Sequence, residues 1–146
     1  MDCDQTAPGM VDQQTTLYGH HMNNNTMFAQ IDQTTDQAAF DAIEAVYYIT
    51  PDTVYRLRPL ATTVVDDSYV EARQANFGDQ AALALYLNGL IDRADAKAAD
   101  AKERAASAEQ IMSLITCNYG WGVKARAVMT LTLEEATPVA HAETGA

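Results

Sequence analysis

The sequence predicts an α+β fold: a small antiparallel or mixed sheet packed on one long alanine-rich helix and one shorter helix, with an extended polar N-terminal arm. Three observations carry that expectation. Residues 53–65 and 123–133 are rich in β-branched and alternating apolar residues. From Gly78-Asp79 to about Thr116, apolar residues recur at steps of three and four. Residues 1–35 are crowded with Gln, Asn and Thr and hold few large apolar side chains.

The arm comes first. Asp12-Gln13-Gln14-Thr15-Thr16 and Asn23-Asn24-Asn25-Thr26 cannot bury enough apolar surface to offset their own ordering entropy. Leu17 and Phe28 are the anchors that let such a segment lie along another surface. A first helix is expected over 36–48. Thr35 or Asp36 caps it, and Ala39, Phe40, Ile43, Val46 and Tyr47 share one side. Thr50-Pro51 stops it, because proline disfavours helical geometry at the residue before it. The strand over 53–65 contains Pro59, which lacks an amide donor and so marks an edge or a bulge.

The long helix is read over 79–116. Its seam is Ala84, Leu87, Ile91, Ala94, Ala98, Ala101, Ala105, Ala108, Met112 and Ile115, the a/d spacing of a coiled coil. A break near Asn88-Gly89 into two helices is the alternative. Asn118-Tyr119-Gly120-Trp121-Gly122 ends it. The strand over 123–133 alternates, with Val123, Ala125, Ala127, Met129, Leu131 and Leu133 on one side, which predicts one buried and one solvated face. The organisation expected is an arm over 1–35, a core domain over 36–135 and a flexible tail over 136–146.

Composition bounds the function. The chain has 146 residues, nine basic against twenty acidic, for a net charge of −11. Nucleic-acid binding requires a basic face, and anionic membrane surfaces attract Lys and Arg, so neither partner is expected. The N-terminus lacks the basic and apolar regions of a signal peptide, and no stretch is apolar enough to span a bilayer, so a cytoplasmic site of synthesis is expected.

No catalytic or metal-binding motif stands out, and no cofactor is expected. His20-His21 is the only histidine pair, and adjacent histidines seldom chelate one ion from one rigid element. Cys3 and Cys117 read as reduced thiols. Cys117 reads as a small, partly buried residue at a helix end rather than an activated nucleophile. An enzyme would have to rest on His20, His21 or Cys117. Arg56, Arg58, Lys124 and Arg126 are four of the nine basic residues, each pair at i, i+2. On neighbouring strands they would form a basic stripe. Trp121, in a glycine-flanked turn, is a candidate interface anchor.

These features point to a non-catalytic assembly protein whose partners are copies of itself and other structural proteins, such as a phage head or tail component of a virion. A small-ligand or protein-binding module without catalysis is the alternative. The interface candidates are Leu17, Phe28, Arg56, Arg58, Trp121, Lys124 and Arg126.

Overall fold

A computed structural model of the chain describes residues 12–18, 31, 33–66, 74–117 and 125–139. One mixed sheet of six strands organises them. In chain order the elements are β1 (Gln14–Tyr18), α1 (Gln37–Asp41), β2 (Val46–Ile49), β3 (Thr53–Asp66), α2 (Gln80–Asp92), β4 (Ala96–Lys97), α3 (Ala101–Ser107), β5 (Ile111–Cys117) and β6 (Ala125–Pro138). The strand order is β1-β5-β6-β3-β2, with β4 paired to β3. β1 runs parallel to β5, and the other pairs are antiparallel.

The expected sheet on one long helix is not what forms. The 79–116 segment divides into α2, β4, α3 and β5. Leu87 and Ile91 of the seam pack from α2, and Ala101 and Ala105 from α3, into one apolar cluster with Leu60 and Leu83. Ala94 and Ala98 lie in the connection around β4, partly buried against that cluster, and Ala108 follows α3. Met112 and Ile115 are strand residues of β5 and enter different clusters. The alanine spacing therefore serves two short helices lying on a sheet, and no continuous seam exists. The α2 cap agrees with the sequence: the Asp79 carboxylate accepts from the Ala82 amide at 2.9 Å.

The expected first helix is also shorter. Asp36 caps it, accepting from Ala39 N–H at 3.1 Å. It ends at Asp41, and Val46–Ile49 is the edge strand β2. Val, Tyr, Tyr, Ile is a β-rich run, and pairing with β3 overrides the helical spacing.

β3 and β6 form the longest ladder. Both sides of β6 are occupied, by β3 and β5, and Ala127 to Thr132 are buried on both faces. The one-sided burial expected from the alternation gives way to a central strand. Two irregularities interrupt the ladder. Leu60 is the extra residue on β3 beside Pro59, and Glu134 is the extra residue on β6 opposite Arg56 and Leu57. Pro59 thus adjoins a bulge, which suits a residue with no amide to donate.

The sheet has two buried sides. On one, Met112, Leu114, Met129, Leu131 and Leu57 pack with Ile31 and Phe40. On the other, α2 and α3 cover Leu60, Ala61 and Ile111. Beyond the helices, Val65, Ile115 and Val128 form a small third cluster.

Candidate active site

The strand ends bring together residues far apart in sequence. Cys117, the last residue of β5, lies directly opposite Arg126 of β6 in the antiparallel ladder. Arg126 in turn lies opposite Val65 of β3. Opposed residues of an antiparallel pair share a face of the sheet, and so do residues two apart. Residues 117 and 126 are therefore on the face of Ile115 and Val128, one step below, which pack with Val65, level with Arg126, into an apolar floor. That floor follows from sequence, because β-branched residues fit a pleated, buried surface. A charged group beside apolar surface interacts more strongly than it would in water.

β1 adds a fourth strand to this end. Its parallel register sets Tyr18 level with Ile115. Two residues further along each chain segment come His20 and Cys117. His20 and His21 lie outside the described residues, as do Cys3, Phe28, Trp121, Lys124 and His141.

Below the floor, on the same face, the sheet carries a buried polar layer. Thr16, Ser113 and Thr130 are level with one another across β1, β5 and β6, and all are buried. Ser113 Oγ donates to Gln14 Oε1 at 2.5 Å, and Gln14 Nε2 donates to the Gln74 carbonyl at 2.8 Å.

The other predicted site residues lie elsewhere. Arg56 and Arg58 do not share a stripe with Arg126: seven residues of β3 separate the levels of Arg58 and Arg126, about 23 Å along a strand. Glu134 meets both Arg56 and Arg58, Nε–O distances being 2.9 and 3.3 Å. The Arg56 guanidinium also donates to the Tyr47 hydroxyl at 2.9 Å. The Glu134 hydrogen bond, with Tyr47 beside it, raises the Arg56 pKa above its ordinary value. Leu17 is half-buried in β1 and packs against the main cluster. Arg104, never a candidate, holds the β3 bulge. It donates to the Pro59 and Arg58 carbonyls, both at 2.9 Å, and to Thr132 Oγ1 at 2.5 Å. Burial, with Arg58 nearby, lowers its pKa.

Cys117 escapes notice as a strand-end residue because the helical spacing continues through 111–116 and leaves Cys117 at a helix end. The signal was present: Ile-Met-Ser-Leu-Ile-Thr-Cys is a short apolar, β-branched run ahead of a Gly-rich turn. Among the described residues no group of three metal-ligating side chains stands together, and no helix is long and apolar enough to cross a membrane.

No protein-family model matches the sequence, and no curated protein sequence does. Solved structures do match. The X-ray structure of Clostridium perfringens sortase B has a TM-score of 0.73 and 25% identity, covering 85% of this chain and 67% of its own. A cysteine-to-serine mutant form of that protein matches with a TM-score of 0.72 and 25% identity, over 85% of this chain and 58% of its own. Sortase B from the type II pilus of Streptococcus pneumoniae gives 0.72 and 22%, over 90% of this chain and 73% of its own. The chain thus spans between 58 and 73% of the length of these structures.

Sortases are cysteine transpeptidases. These neighbours overturn the expectation of a non-catalytic assembly protein or binding module, and nothing in them supports a virion, phage head or tail component, or a homo-oligomer. The chain has a sortase-B-like fold: a mixed six-stranded sheet with few helices.

Proposed function

We propose that the protein is a cysteine transpeptidase of the sortase B kind, with Cys117 as nucleophile, Arg126 as oxyanion stabiliser and His20 as proton carrier. The observation that carries this reading is the register of Cys117 opposite Arg126 at the end of a sortase-B-like sheet. His20 is assigned the proton because it follows β1 in sequence by two residues, and β1 pairs with the strand that ends on Cys117.

The chemistry follows from those three groups. A thiolate, not a thiol, attacks carbonyls, and a nearby guanidinium favours the thiolate. The Cys117 sulfur adds to the carbonyl carbon of a donor peptide bond. The developing oxyanion is met by the guanidinium of Arg126. As the C–N bond breaks, His20 gives a proton to the leaving amine, and the acyl part stays on sulfur as a thioester. An incoming amine then attacks the thioester carbonyl and loses its proton to His20. The thiolate leaves, and a new peptide bond has replaced the old one. Atoms and charge balance with no cofactor.

Excluding water favours aminolysis over hydrolysis of the thioester. The apolar floor of Val65, Ile115 and Val128 supports that requirement. The test is turnover of a peptide pool in the presence of a primary amine, read as a new amide product by mass spectrometry. Product should form with the wild-type chain and vanish with Cys117→Ala. Product formation by Cys117→Ala would overturn the reading.

A further inference from the structure

Resting on the transpeptidase reading above, we infer that Gln14 is a positioning residue: it fixes the register of β1 against β5, the strand that ends on Cys117.

Strand register is normally set by a buried apolar pattern, and strands that are polar on both faces specify it weakly. β1 comes close to such a strand, with Leu17 its one apolar contact to the main cluster. Gln14 and Thr16 lie on one face, Thr15 and Leu17 on the other, and of these four only Leu17 is apolar. Gln14, Thr15 and Thr16 are nonetheless buried, at 0, 1 and 0% exposure. The Thr15 hydroxyl adds nothing to this, since it is buried without a hydrogen-bond partner among the described residues. The parallel pairing is also the less stable kind per residue.

Gln14 supplies the missing direction. Its Oε1 accepts from Ser113 Oγ of β5 at 2.5 Å and from the Tyr86 hydroxyl of α2 at 3.5 Å. Its Nε2 donates to the Gln74 carbonyl at 2.8 Å, and its backbone N–H donates to the Ala75 carbonyl at 2.9 Å. One buried amide therefore joins β1 to β5, to α2 and to the segment leading into α2. A slip of one residue would turn Gln14 to the opposite face. A slip of two would move β1 by about 6.6 Å. Either breaks every side-chain bond just named, and either moves Tyr18, the last residue of β1, off the level of Ile115.

The test uses Gln14→Leu and Ser113→Ala in a Cys3→Ser background, so that Cys117 is the one thiol. The readouts are kcat, KM, melting temperature and the pH profile of iodoacetamide alkylation. His20→Ala defines the limb of that profile that depends on histidine. Gln14→Leu should lose the same limb in the folded protein. Its kcat should fall about 10- to 100-fold, the size expected of a misplacement near 1 Å, with a smaller change in KM. Combined with His20→Ala it should cost little more, because both changes remove one coupling. Ser113→Ala keeps the Gln74 bond and should give a partial effect of the same kind; it decides the matter if Gln14→Leu does not fold. A lower melting temperature with a wild-type pH profile and kcat would overturn the inference and leave Gln14 a packing residue. Undiminished turnover by Cys117→Ala would instead overturn the transpeptidase reading on which it rests.

Discussion

The two ends of β6 hold arginines in opposite circumstances. At one end Arg126 faces the position of Cys117, above a floor of Val65, Ile115 and Val128. At the other, Glu134 sits on a bulge and gathers Arg56 and Arg58, whose side chains are 40 and 41% exposed. Between them Arg104, with a side chain only 14% exposed, is spent on carbonyls of the β3 bulge and on Thr132. The same residue type thus does three jobs, decided by what lies opposite on the neighbouring strand and by access to water. Exposed ion pairs contribute little to stability, whereas a buried guanidinium leaves several acceptors stranded when removed.

The largest effect expected from this contrast is at the Cys117 end. Cys117→Ala should lower transpeptidation by about 10³-fold or more, as loss of a nucleophile does. Arg126→Ala should lower kcat by about 10²- to 10³-fold, the usual cost of one oxyanion donor, with the melting temperature little changed. Arg126→Lys should recover part of that, since it keeps the charge but not the planar fork. Steady-state kinetics and calorimetry on the same samples separate the two quantities.

Arg104→Met should behave in the opposite way. It strands the Pro59 and Arg58 carbonyls and Thr132 Oγ1, at a cost of about 2–4 kcal/mol. The melting temperature should fall by about 6–12 °C at this chain length, with turnover per folded molecule retained. A loss of kcat larger than the loss of folded protein would show that the bulge, too, shapes the site.

The smallest effect belongs to the exposed cluster. Glu134→Gln should leave both melting temperature and turnover within about twofold of wild type at physiological salt, since water and ions screen such pairs. A larger change would mean that the two ends of β6 are coupled.

The sequence made some of this legible and obscured the rest for identifiable reasons. The β-branched run of β3 and the alternation in β6 marked both strands, and Pro59 marked the bulge. Asp36 and Asp79 marked two helix starts. Alanine caused the main error: it satisfies a coiled-coil template while being equally at home in α2, in α3 and in the loops between them. Once a continuous helix was assumed, Ile111–Cys117 was absorbed into it, and Cys117 lost its place at a strand end. The site itself was not legible, because it is made by register. Positions 117 and 126 become neighbours only when β5 pairs with β6, and no local pattern announces that pairing. The charge of Arg126 attracted notice for the wrong partner, the arginines of β3.

The most direct test of the central claim is intact-mass measurement of the protein after rapid quenching in the presence of a donor-peptide pool without added amine. An acyl adduct on Cys117, labile to hydroxylamine, should form in the wild-type chain and be absent from Cys117→Ala. No adduct on Cys117 while amide product still forms, or an adduct that persists in Cys117→Ala, would contradict it.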